Sequence, residues 1–168
     1  GALATQLHDY PRMVPDLKAY VVYVLARAQA APSDGFSIEA ALEDVWSARD
    51  QMTASGQAFL LMTLDSKKDG RGDEIARRLI ASSQTRGDLS WWTVDTDPLL
   101  DDLGDTSVEA SALALKALVA RDPTNPLLER VARWLVANRT AGAYWVNTKQ
   151  TALSLEGLLA YMTARGER

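Results

Sequence analysis

Hydrophobic positions along this chain fall into two kinds of segment that alternate. One kind is apolar on nearly every face; the other carries a single apolar stripe. Residues 16–31 are of the first kind. Leu17, Tyr20, Val21, Val24, Leu25 and Ala28 follow helical spacing, and Val22 and Tyr23 fill the opposite face. Pro32-Ser-Asp-Gly35 stops that helix. Residues 37–50 are of the second kind, opening on an N-cap serine. Ile38, Ala41, Leu42, Val45 and Trp46 form the stripe, while Glu39, Glu43, Asp44 and Arg49 stay outside it.

The alternation continues. Ser55 or Gly56 opens an apolar helix that runs to Leu64, and the charged run at residues 65–72 reads as a solvated turn. Residues 73–83 are striped, with Ile75, Leu79 and Ile80 inward and Glu74, Arg77 and Arg78 outward. Residues 84–104 look irregular, an insertion loop. Residues 105–118 form the most apolar helix, and Thr106 followed by Glu109 predicts a capping box at its start. Pro126 suits the first turn of the next striped helix, which reaches about Asn138 with Leu127, Leu128, Val131, Trp134 and Leu135 inward. A second irregular segment, residues 139–147, leads into a last apolar helix. Residues 1–15, with Pro11 and Pro15, read as an arm or a partial helix.

The apolar helices superpose without gaps. Ala19, Ala58, Ala112 and Ala152 coincide, and six positions on come Leu25, Leu64, Leu118 and Leu158. Successive offsets are 39, 54 and 40 residues, so the middle interval holds an insertion in a repeat of about forty. A solenoid that exposes one face of every helix would stripe both members of each pair. Here only one member is striped, which predicts two concentric layers: an all-α fold of the α/α-toroid type, with apolar helices inside. The whole of residues 1–168 then reads as one such domain, or as the C-terminal part of one. Inner helices running parallel would gather the two irregular segments on one face. That face would carry Trp91, Trp92, Asp95, Asp97, Tyr144 and Trp145, either as a contact surface or as a plug closing the end of the ring. Lys116 and Glu156 fall at one repeat position and should pair across neighbouring inner helices.

Composition narrows the functions. A formal net charge of −4 with no basic cluster argues against a nucleic-acid partner. No long uncharged apolar run is present to insert into a membrane. Zero cysteines remove thiolate chemistry and Cys-based zinc sites. His8 is the single histidine, so a multi-histidine metal site is excluded, and no serine stands in a nucleophile-elbow context. These residues supply no catalytic constellation and ask for no cofactor.

Three blocks in order carry a family likeness: the Asp105-Thr…Ala110-Ser-Ala-Leu helix, Val131-Ala-Arg-Trp-Leu135, and Gly142-Ala-Tyr-Trp-Val-Asn-Thr-Lys-Gln-Thr-Ala-Leu153. From about Asp16 onward the chain resembles the latter part of the thioester-type domain of the alpha-2-macroglobulin and complement family, in its bacterial branch. The resemblance implies a non-enzymatic domain of a large periplasmic or extracellular protein that traps proteases in envelope defence. Its partners would be a protease, through the full-length protein, and neighbouring domains of the same chain. The family's Cys-x-Glu-Gln motif has no counterpart here. Either it precedes this segment or the protein belongs to the branch without it. A ring of this type has more helix pairs than the four inner helices found, so an incomplete ring would expose apolar flanks and self-associate. Two other readings stay open: a toroid-type lyase or cyclase using Asp95 and Asp97 as general acids, and a helical scaffold that binds a protein through the aromatic face.

Overall fold

The computed structural model describes residues 10–29, 36–94, 106–140, 142 and 144–166. The fold is all-α apart from one two-stranded hairpin. Its helices are α1 (Pro15–Arg27), α2 (Ile38–Ser47), α3 (Ala54–Ser66), α4 (Gly72–Ser82), α5 (Ser107–Val119), α6 (Pro126–Ala137) and α7 (Thr148–Ala164). Strands β1 (Gln84–Arg86) and β2 (Leu89–Trp91) pair between α4 and α5. Short 3-10 turns at Tyr10–Arg12 and Arg49–Gln51 precede α1 and α3.

The apolar helices α1, α3, α5 and α7 form a row in sequence order, each packed on the next. The striped helices back this row, α2 against α1, α4 against α3, and α6 against α5 and α7. The row is parallel. Asp16 at the start of α1 reaches the start of α3, accepting from Gly56 N at 3.1 Å. At the other end, Arg121, just past α5, binds Asp65 in the last turn of α3. Lys116 and Glu156 pair between α5 and α7 at 2.7 Å, as their shared repeat position predicts. Ring closure is not made, since α1 and α7 share no comparable interface among the described residues. Nor is any described helix long and apolar enough to cross a membrane.

Burial follows position in the row. The middle helices α3 and α5 are buried nearly all round, including Leu60, Leu61, Leu64, Ala114 and Leu115. The end helices are not, contrary to the expectation of four fully enclosed helices. α7 buries Gln150, Ser154, Gly157 and Tyr161, while Leu155, Leu159 and Met162 stay exposed. α1 buries Ala19, Val22 and Leu25 and leaves Tyr20 and Val24 exposed. The physical reason is that an end helix has a neighbour on one flank only.

Three local expectations need correction. The first helix ends at Arg27 rather than residue 31, and Gln29 takes a left-handed conformation (φ 48°) that ends the helical path. The Thr106/Glu109 capping box does not form, because Thr106 N donates to Val94 O at 3.2 Å and the Thr106 side chain makes no cap bond. Of the three inward positions assigned to α4, Ile75 and Leu79 are buried but Ile80 is exposed. The Ser37 cap forms as its sequence context predicts, accepting from Ala40 N at 3.2 Å.

Candidate functional site

The segment between α4 and α5 begins as a hairpin that its sequence pattern did not announce. Gln84 pairs with Trp91, Thr85 with Ser90 and Arg86 with Leu89. Gly87, at φ 62°, is the first of the two loop residues, where a two-residue hairpin turn requires a positive φ. The hairpin lies along α6. Trp91 stacks on Trp134 with ring centroids 5.9 Å apart and planes within 10°. Arg133 binds Asp88 at 2.9 Å, and Arg130 donates to Gly87 O. Trp91 is therefore half-buried, one face covered by another indole.

Trp92, the next residue, points the other way and is 1% exposed. Its indole N–H donates to Leu79 O in α4 at 2.8 Å, and its backbone N–H donates to Ser111 Oγ at 3.0 Å. Val94 N donates to Ser107 Oγ at 3.1 Å. Two serines on the first turns of an otherwise apolar helix thus bind the segment that follows β2 and crosses over it. The pair Ser107 and Ser111, four apart on one face, is the signal in the sequence that could have revealed this docking.

The second irregular segment repeats the device. Trp145 is buried, and its indole N–H donates to Leu135 O in α6 at 3.0 Å. Its backbone N–H donates to Thr151 Oγ1 at 3.4 Å. Asn147 caps α7 by accepting from Gln150 N at 2.8 Å. Both buried tryptophans thus bridge an outer helix near its C-terminal end to the start of the next inner helix. Tyr144 stands outward at 54% exposure, beside the exposed Val146.

Of the six residues expected on one face, Trp92 and Trp145 are buried as plugs, Trp91 is stacked on α6 and Tyr144 is exposed. Asp95 and Asp97 lie outside the described residues, as does His8. Buried polar side chains gather at this same end of the inner row: Thr106, Glu109, Gln150 and Ser154. The sequence pattern marks Thr106 and Glu109 as a capping box and gives no signal for Gln150 or Ser154. Among the described residues, no group of three His, Cys, Asp or Glu side chains is placed to hold a metal ion. What the geometry can do is rigidify: every indole N–H described above, and the serine and threonine hydroxyls beneath them, serves a bond between segments. No protein-family model matches the chain, and no curated protein matches it either.

Proposed function

We propose that this chain is a non-catalytic helical module of an alpha-2-macroglobulin-like protein of the bacterial envelope, contributing to the trapping of proteases. The observation that carries the reading is how the residues of the likeness are used. Val131-Ala-Arg-Trp-Leu135 supplies the Leu135 carbonyl that Trp145 binds and the Trp134 ring that Trp91 covers. The block from Gly142 to Leu153 supplies Trp145, the Asn147 cap and Thr151, which meet at the entrance of α7. A motif in which aromatic, amide and hydroxyl positions lock one helix start is more than a helical composition, and it supports kinship of structure rather than of chemistry.

The reading is tested with the longer protein that bears this segment, expressed whole and incubated with endopeptidases of different specificity. A trap suppresses cleavage of a large protein substrate and spares cleavage of a short chromogenic peptide by the same protease. Equal cleavage of both substrates by every protease, with the protein itself intact, overturns the proposal. Turnover of a small polyene or uronate substrate that is lost in the Asp95→Asn and Asp97→Asn variants would replace it with the lyase or cyclase reading.

A further inference from the structure

One position of the repeat is polar in all four apolar helices. The residue just before each matched alanine is Lys18 in α1, Gln57 in α3, Ser111 in α5 and Thr151 in α7. Burial in an apolar row does not call for a polar side chain there, yet each one does the same work. Lys18 places its ammonium 5.2 Å from the centre of the Tyr10 ring, besides binding Asp44. Gln57 Nε2 donates to Met52 O at 3.2 Å. Ser111 Oγ accepts from Trp92 N at 3.0 Å, and Thr151 Oγ1 accepts from Trp145 N at 3.4 Å. Tyr10, Met52, Trp92 and Trp145 are the buried residues of the segments that lead into these helices, each 7% exposed or less. At one repeat position, then, every inner helix holds the plug of the segment before it.

The fastenings before α5 and α7 are unequal. Before α5 the backbone is tied three times: Trp92 N to Ser111 Oγ, Val94 N to Ser107 Oγ, and Thr106 N to Val94 O. Upstream of that segment, Trp91 is stacked on α6. Before α7, among the described residues, the backbone upstream of Asn147 reaches the helix at one point, Trp145 N to Thr151 Oγ1. At 3.4 Å this bond is longer than the roughly 2.7–3.2 Å of an ordinary N–H···O bond. The Thr151 hydroxyl also serves Asn147 O, to which it donates at 3.0 Å. Tyr144 and Val146, on either side of Trp145, are 54% and 76% exposed. Gly142 just upstream sits at φ 73°, where a glycine pivots without a side-chain clash.

We propose that the position of Lys18, Gln57, Ser111 and Thr151 is a buckle, and that residues 144–146 are a strap poised to lift from theirs while α6 and α7 stay packed. Lifting takes the Trp145 indole off Leu135 O and puts two aromatic rings and a valine side chain into solvent together. The segment at Trp92, fastened three times, stays down.

Hydrogen exchange of the tryptophan N–H groups, read by NMR on the full isotope-labelled chain, tests this. In the wild type the indole and backbone protons of Trp145 exchange faster than those of Trp92 by about tenfold or more, and faster than amides in the middle of α7. Thr151→Val keeps the side-chain shape and removes the hydroxyl. It speeds both Trp145 protons by roughly fivefold or more and leaves Trp92 unchanged, with circular dichroism and cooperative melting retained. Thr151→Ser restores the wild-type rates, a rescue that a space-filling role would not give. Ser111→Ala speeds the Trp92 backbone proton and spares Trp145. Equal protection of the two tryptophans in the wild type overturns the strap. So does Trp145 exchanging in step with the middle of α7, which is opening of the whole helix. Thr151→Val or Ser111→Ala without effect on its own tryptophan overturns the buckle.

Discussion

Asp16 is a helix residue whose principal work is done for another helix. It is fully buried, and its carboxylate accepts from Thr53 N at 3.2 Å and Gly56 N at 3.1 Å and also from the Thr53 hydroxyl. It thereby caps α3, whose own N-cap Thr53 makes no side-chain cap bond. Asp16→Ala strands these donors, and we expect a loss of about 2 kcal/mol or more in urea unfolding, against less for Asp16→Asn, which keeps one acceptor oxygen. Gly157 gives a prediction of unusual sign. Gly→Ala inside a helix ordinarily gains about 1 kcal/mol. Here the added methyl would stand 2.7 Å from a backbone oxygen of α5. Gly157→Ala should therefore destabilise by about 1–3 kcal/mol, read as a lower denaturant midpoint at unchanged slope. Single residues were unevenly legible from sequence. Ser37 and Pro126 act within their own helices and could be read locally. Asp16 could not, because its partners lie 37 and 40 residues away. The Thr106 and Glu109 box was legible and still wrong, since Val94 O, in the segment after β2, accepts from Thr106 N.

At the scale of elements, the two tryptophan plugs decide how an outer helix is tied to the next inner one. Trp92→Phe keeps most of the apolar volume and removes the indole bond to Leu79 O, which retains the Ser82 hydroxyl as a donor at 3.1 Å; we expect a loss of about 1 kcal/mol, with Trp92→Ala costing about 3–5 kcal/mol. Trp145→Phe should cost at least as much as Trp92→Phe, because it removes the same kind of indole bond, here to Leu135 O. Iodide quenching of fluorescence separates the classes: Trp92 and Trp145 resist it, and Trp91 does not. The outer helices are joined differently, by charge. The Arg71 guanidinium binds Asp69 and Glu43 and lies 5.0 Å over Trp46, with Arg49 4.3 Å from the same ring. Hydrogen bonds from Arg71 hold the Asp69 carboxyl below its ordinary value. A depressed carboxylate stabilises the fold above its unfolded pKa near 3.9, and that stabilisation is lost as pH falls through the folded value. Melting temperature should hold between pH 7 and pH 5 and drop below about pH 4. Arg71→Met should narrow the difference between neutral and acid stability by under about 1 kcal/mol, since these pairs are solvated. Element types were legible for every helix, because their apolar periodicity is strong. The hairpin was not: three-residue strands with an exposed first strand leave no alternation to read.

On the scale of the whole molecule, the repeat was legible and the ends were not. Matching Ala19, Ala58, Ala112 and Ala152 orders four helices, and the observed row has that order. Periodicity alone does not distinguish a helix with two neighbours from a helix with one, so α1 and α7 carry the same apolar signature as α3 and α5 without the same enclosure. Stability should be graded accordingly. In a row of repeats each unit is held by its own packing and by its nearest neighbours, and an end unit has one interface fewer. Removing the flank of α3 or α5 breaks two interfaces and the core that holds Leu60, Leu61, Leu64 and Leu115. Releasing α7 breaks chiefly its contact with α5, where Gly157, Ser154 and Tyr161 are buried, and a thinner one with α6. Hydrogen exchange should therefore show α3 and α5 amides exchanging only through global unfolding. Amides of α7 should exchange faster by at least about tenfold, through a local opening that leaves α3 protected. Protection that is uniform across all four inner helices would contradict the graded row.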